Sequence, residues 1–168
     1  MENLYKELRS FFANDIDVND LYDSEAIIWI DWGEYDEDVV RYFNDMMAEP
    51  IDIEIVSNGK PYGDDIVLKN GNKELQIPYG DEQDRDVTIK YFNDFVKPDF
   101  EVRWFAESLG NDTLGFTVLS GAEWANLEDE FGADTVCYYF EPINLESNMF
   151  NLDMDEVSAL LELRENNR

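Results

Sequence analysis

Apolar residues recur at helical spacing at both ends of the chain. Side chains three and four residues apart share one face of a helix, so such spacing predicts an amphipathic helix. The N-terminal stretch from 2 to 13 has this spacing. The C-terminal stretch from 153 to 164 has it too, and we expect four of its residues to face inward: Met154, Val157, Leu160 and Leu161.

Between these ends, the pattern changes to that of short strands. Ile51, Ile53 and Ile55 alternate with acids, which is typical of a strand with one solvated face. Asn70-Gly71 separates two apolar runs and predicts a hairpin, because this pair adopts the positive φ of a tight turn.

Two further helices are predicted near residue 130. Ser120 followed by Glu123 is a capping-box pattern that begins one helix, and Gly132 ends it. The run from 133 to 140 has β propensity, but the cap Asp134 and the following Pro142 favour a short helix, which we choose.

One sequence pattern occurs twice, as Arg41-Tyr42-Phe43-Asn44-Asp45 and as Lys90-Tyr91-Phe92-Asn93-Asp94. The echo predicts two tandem strand-helix-strand-strand units: 26 to 32, 36 to 48, 51 to 56 and 65 to 69, then 73 to 77, 84 to 96, 100 to 106 and 113 to 118. We expect an α+β fold in which both units share one mixed or antiparallel sheet, with their helices on one face and further helices at both termini. Two unrelated helices that share a short sequence remain the alternative.

Length and composition indicate one folded, soluble domain spanning 1–168. The chain has 168 residues, of which 4 are Trp, 9 Tyr and 11 Phe, so a core is available and global disorder is excluded. No stretch has the apolar length of a membrane span, and the N-terminus lacks the pattern of a signal peptide. We therefore expect a cytoplasmic protein.

Charge narrows the possible partners. The 40 Asp and Glu outnumber the 12 Lys and Arg, and the formal net charge is -28. Nucleic acid and anionic membranes are excluded as direct ligands, since binding them requires a basic surface. A field of this size favours a basic protein partner, and it leaves a homodimer open.

Candidate catalytic chemistry is sparse. The chain has no His, which removes the commonest general base and the usual metal ligand. It also lacks the glycine motifs that hold phosphate groups, and its acidic loops do not match the spacing of a calcium loop. We therefore expect no enzyme activity, cofactor or metal. An enzyme that works through carboxylates, or a protein that binds a small ligand, is kept as an alternative.

Two acidic loops, 34 to 38 and 81 to 86, precede the repeated helices and are the predicted partner-binding surface. On a shared sheet they would lie side by side, with aromatic residues as anchors and acids as steering charges. The candidate residues are Trp32, Glu34, Tyr35, Asp36, Glu37, Asp38, Tyr62, Asp64, Asp65, Tyr79, Asp81, Glu82, Asp84 and Asp86.

This combination resembles, as a class, the small acidic inhibitors of bacterial and phage systems. The segment from Ser108-Leu109-Gly110 to Trp124-Ala125-Asn126-Leu127-Glu128 is similar to stretches of bacterial proteins in toxin-immunity neighbourhoods. The resemblance implies an immunity protein that neutralises a basic toxin, with a nuclease as the expected class. The alternative is a DNA mimic that occupies the groove of a restriction or defence enzyme. No functional residue is carried over from the resemblance.

Overall fold

The predicted helices and strands occur in the predicted order, with a short helix after residue 17 and a short strand after residue 139 in addition. The computed structural model describes residues 2–31, 33–60, 63–79, 83–111 and 113–166. The helices within these ranges are α1 (Glu2–Phe12), α2 (Val18–Tyr22), α3 (Asp36–Met46), α4 (Arg85–Val96), α5 (Gly121–Phe131), α6 (Ala133–Tyr139) and α7 (Met154–Asn166). The strands are β1 (Ile28–Ile30), β2 (Asp52–Lys60), β3 (Gly63–Asn70), β4 (Lys73–Gln76), β5 (Phe100–Phe105), β6 (Leu114–Ser120) and β7 (Phe140–Pro142).

The strands form two antiparallel sheets, so the prediction of a single shared sheet is wrong. Sheet A has the order β1-β6-β5-β7, and sheet B has the order β2-β3-β4. Each sheet joins the two later strands of one repeat to the first strand of the other, because β1 pairs with β6 and β4 pairs with β3. The repeats thus exchange their first strands. The fold class is α+β, as predicted, with helices at both termini.

Sheet A is covered on both faces. On one face, α3 and α4 bury their apolar sides, and the corresponding Phe43 and Phe92 rings meet with centroids 5.5 Å apart. On the other face, Leu8 of α1 and Trp124 of α5 join a second core cluster with Leu119 of β6. The strands of sheet A therefore alternate between two apolar environments, since successive side chains point to opposite faces.

The repeated asparagines make similar contacts, since the side chain of each accepts a backbone N–H close to the start of the next strand. Asn44 accepts a hydrogen bond from the Ile51 backbone N–H at 2.8 Å and donates one to the Ile51 carbonyl at 2.9 Å. Asn93 accepts from the Val102 N–H at 2.7 Å and donates to the Ile143 carbonyl at 2.9 Å. In each repeat, one asparagine fixes the strand that follows its helix.

Replacing Asn93 by alanine is expected to lower the free energy of unfolding by about 2 to 3 kcal/mol, because a buried Val102 N–H loses its acceptor. The matched variant Asn44→Ala should cost about 1 kcal/mol, since its site is half-buried and water can replace the side chain. Urea denaturation of both variants measures the difference. Equal losses would contradict this reading of the two sites.

Several local predictions are confirmed. Asn70 and Lys73 pair across the hairpin between β3 and β4, with Gly71 at φ +61°. Ser120 and Glu123 form the capping box at the start of α5. The ambiguous run after Gly132 is helical, as α6.

Two local expectations need correction. The polar segment after α1 contains the short helix α2, which Asp17 and Asp20 cap through a reciprocal pair of hydrogen bonds. The residues of α7 expected to face inward are poorly covered: Met154 is 82% exposed, and Leu160 and Leu161 are also exposed. None of the helices in the described ranges is long and apolar enough to cross a membrane.

Candidate functional site

The N-termini of α3 and α4 lie side by side, joined by Arg85. Asp36 and Arg85 occupy corresponding positions, each five residues before the repeated motif. Arg85 Nε donates to Asp36 Oδ1 at 2.8 Å, and the same guanidinium donates to the carbonyls of Asp31 and Glu34. The two acidic loops are therefore brought together by one buried cation.

Asp36 belongs to the interior, so it is removed from the predicted binding residues. Burial raises the pKa of its carboxyl group, and the hydrogen bond and positive charge of Arg85 partly offset that shift. Tyr79 is also partly buried: it packs against the core that contains α3 and α4, and its hydroxyl group is hydrogen-bonded with Thr88. Burial raises the pKa of Tyr79 above the ordinary value for tyrosine.

Asp86 is likewise a structural carboxylate and not a surface contact. Its two oxygens accept the backbone N–H groups of Met149, Phe150 and Asn151 at 3.0, 2.8 and 3.0 Å. Asp84, the N-cap of α4, accepts two bonds from the Asn151 side chain. Together the two carboxylates hold the segment that leads into α7.

A signal for the buried carboxylates is present in the sequence. Asp36 lies three, four and seven residues before Val39, Val40 and Phe43, and so it shares the buried face of α3. Asp86 stands in the same relation to the buried Ile89. An acid in register with an apolar face needs internal partners, whereas acids out of register remain at the surface.

The acids that stay accessible form a surface that we name the acidic edge. Its members are exposed or half-exposed: Asp31, Glu34, Tyr35, Glu37, Asp38 and Asp84. Five of these six residues carry a carboxylate. The charge of Arg85 is paired with the buried Asp36, and Arg41 lies 3.6 Å from Asp38 at the surface. The edge is therefore strongly negative.

Other predicted residues lie beside the edge or outside the described residues. Asp64 and Asp65 are half-exposed on β3, and Gln83 donates to the Asp64 carbonyl at 2.8 Å, which ties the start of β3 to the α4 loop. The remaining predicted residues lie outside the described residues: Trp32, Tyr62, Asp81 and Glu82.

Tyr35 is the unusual member of the edge. It occupies the N-cap of α3 but makes no side-chain capping bond, and its side chain is 71% exposed. N-cap positions favour Asn, Asp, Ser and Thr, and the corresponding N-cap of α4 is Asp84, which does cap. Helix formation therefore does not account for a tyrosine here. A nearby ring, Tyr42, is anchored by its hydroxyl group to Glu34 at 3.1 Å.

Comparison with family models, with curated proteins and with solved structures finds no match. The function must therefore be inferred from the chemistry of the surface itself. Among the residues that the structure describes, no three His, Cys, Asp or Glu side chains are grouped so as to hold a metal ion.

A wide cleft is lined by residues of α2 and α6 and by Glu107, which follows β5. It has a volume of about 1030 Å³, and its lining includes Glu107, Asp134 and Tyr138. Glu107 already accepts a hydrogen bond from Arg164 at 2.7 Å, so its charge is engaged in a salt bridge.

Proposed function

We propose that the protein is an immunity-type inhibitor that binds a basic toxin, of the nuclease class, through the acidic edge. The observation that carries the proposal is an exposed tyrosine, Tyr35, within a dense group of carboxylates on a chain of net charge -28. Interfaces with charged partners use such a combination, in which an aromatic ring provides the contact energy and surrounding charges guide the approach.

The distribution of the cations supports the same function. Arg85, Arg103 and Arg164 have side chains only 11, 6 and 15% exposed, and each forms a salt bridge inside the fold. Their positive charge is thus paired internally, and the solvent-facing surface is left mainly to carboxylates. Such a field accelerates encounter with a basic partner, toward about 10⁸ to 10⁹ M⁻¹s⁻¹ at low salt.

The compact form of the edge favours an inhibitor over a DNA mimic. A mimic needs carboxylates along an extended path, since duplex DNA carries one charge per about 1.7 Å of its axis. The acidic edge instead gathers its carboxylates around the adjacent starts of two helices, with a ring among them. Carboxylates elsewhere on the surface add to the long-range field, but their neighbourhoods lack an equally exposed tyrosine among the described residues.

Co-expression tests the proposal directly. The protein is produced together with a basic nuclease toxin encoded beside its own gene, and bacterial growth is measured with and without it. We expect rescue of growth, and inhibition of the purified nuclease that weakens as salt rises. A toxin that stays fully active at a molar excess of the protein would refute the proposal. Displacement of duplex DNA from several unrelated DNA-binding proteins would establish mimicry instead.

A further inference from the structure

Helix α7 carries more apolar surface than the rest of the molecule covers. Val157 and Arg164 are half-buried, and α7 contains no buried residue among those described. Leu160 and Leu163, which lie three residues apart and so share one side of the helix, remain 36 and 56% exposed. An apolar surface left open in this way, with polar residues around it, is typical of an interaction site.

An apolar groove runs between α7 and sheet A. It is lined by Leu160 and Leu163 of α7, by the buried Trp104 and Leu109 and by Tyr138 of α6, together with Ala106, Cys137, Glu141 and Arg164. Its volume is about 140 Å³. A cavity of roughly 150 Å³ lined by apolar side chains can hold a benzene ring. The groove therefore matches one apolar side chain of a partner.

The C-terminal end of α7 is fixed in place, so the groove is a defined feature of the fold. Arg164 donates to the Tyr138 carbonyl at 2.6 Å and to Glu107 at 2.7 Å, and its guanidinium lies 4.0 Å from the centre of the Tyr138 ring. These contacts hold Leu160 and Leu163 at a set distance from α6. They also neutralise the cation that lines the groove.

Acidic residues near the groove favour an occupant that carries positive charge. Glu141 is one of the residues that line the groove, and burial raises the pKa of its carboxyl group although the charge of Arg164 opposes the shift. Glu156 is exposed and precedes Leu160 by one helical turn on the same side of α7. A second copy of this chain would bring another net charge of -28 against these acids, and anionic lipid would be repelled likewise. An apolar side chain next to Lys or Arg is the complementary partner.

The groove is connected to the acidic edge through the chain itself. Asp84 and Asp86 of α4 hold Asn151, and α7 begins at Met154. Leu160 and Leu163 then lie about 9 and 14 Å along the helix, at 1.5 Å per residue. The residues that lead into α7 are thus held by the same carboxylates that lie at the start of α4.

We propose that the groove between α7 and sheet A is an anchor pocket that accepts one apolar side chain, flanked by Lys or Arg, from the basic partner. This inference rests on the proposed function, and it adds the second contact that gives the complex its slow dissociation. Acids at the edge guide the approach, and the groove retains the partner.

Two synthetic peptides of equal positive charge test the pocket on the full chain. One contains Lys separated by Gly and Ser, and the other has a single central Phe between the same lysines. Isothermal titration at low salt should show that the Phe peptide binds at least about tenfold more tightly, a difference of about 1.4 kcal/mol. Equal affinities for the two peptides would overturn the proposal.

Variants test whether the preference for the Phe peptide comes from the groove. Leu163→Ser should abolish it while leaving the affinity for the lysine peptide unchanged, and Leu163→Gln is a second variant in case the first is poorly folded. Val56→Ser on β2 is the matched control, since Val56 is also an exposed apolar residue far from α7 in sequence. The pocket is refuted if both Leu163 variants still bind the Phe peptide more tightly than the lysine peptide, or if the Val56→Ser control loses this preference. It is also refuted if the protein forms a dimer at high salt that Leu163→Ser dissociates.

The peptide result and the toxin result are independent. A preference for the Phe peptide that Leu163→Ser removes supports the pocket even if the neighbouring toxin is not inhibited, in which case the basic partner is of another class. Conversely, a toxin that is inhibited equally by the wild type and by Leu163→Ser, together with equal peptide affinities, would refute the pocket and leave the inhibitor function standing.

Discussion

Asp86→Ala is expected to lower the free energy of unfolding by about 3 to 6 kcal/mol, because three backbone N–H groups lose their acceptor at once. Asp86 is 0% exposed, and so water cannot easily replace the carboxylate. The loss is large beside the total stability of a domain, which is about 5 to 15 kcal/mol. Urea denaturation followed by far-UV circular dichroism measures it.

Asp84→Ala is the matched control, since Asp84 lies two residues away and holds the same segment. Its loss should be about 1 kcal/mol, typical of an N-cap, because the side chain is half-exposed. Asp86→Asn should fall between the two, as its amide keeps an acceptor oxygen but directs an NH₂ group at the backbone donors. An Asp86→Ala protein as stable as the wild type would show that the segment 149–151 is held by other contacts.

Local structure was predictable where the deciding interactions lie within a few residues. The helix predicted from 36 to 48 is α3, Asn70-Gly71 predicted the hairpin, and Ser120 with Glu123 predicted the start of α5. Each signal depends on contacts inside one turn or one helix face. These are the contacts that a sequence pattern records directly.

The pairing of strands was not predictable in the same way. Alternation in Ile28, Trp29 and Ile30 indicates which residues face which side, but it does not name the neighbouring strand. In the structure, Ile28 lies opposite Phe116, 88 positions later, and β4 pairs with β3 of the preceding repeat. These pairings, like the contact between Phe43 and Phe92, join residues that are far apart in the sequence.

The sequence predicted that the two acidic loops lie close together, but not which of their acids are accessible. The two acidic loops do meet, because Arg85 joins them. Composition alone could not separate the internal Asp36 and Asp86 from the accessible Glu37 and Asp38, since all four are acids at the start of a helix. The groove beside α7 was missed because helical spacing predicted that Leu160 and Leu161 are buried. In the structure, the rest of the molecule covers these two side chains only in part.

Tyr35→Ala is expected to weaken binding to the cognate basic partner about 30-fold, corresponding to about 2 kcal/mol, mainly through faster dissociation. The ring is 71% exposed and carries no capping bond, so its removal should leave the stability of the fold nearly unchanged. Surface plasmon resonance against the toxin obtained from the co-expression experiment gives both rate constants. Unchanged dissociation would remove Tyr35 from the interface.

Neutralising the acids around Tyr35 should affect the other rate constant. The triple variant Glu34→Gln, Glu37→Gln and Asp38→Asn is expected to slow association about tenfold at low salt, with the difference vanishing at high salt, because steering depends on the unscreened field. Asp15→Asn, Asp129→Asn and Asp134→Asn remove the same number of charges from exposed positions outside the acidic edge, after α1, in α5 and in α6. Since both variants have the same net charge, a slower association confined to the first assigns the steering to the acidic edge, whereas equal slowing would assign it to the charge of the whole molecule.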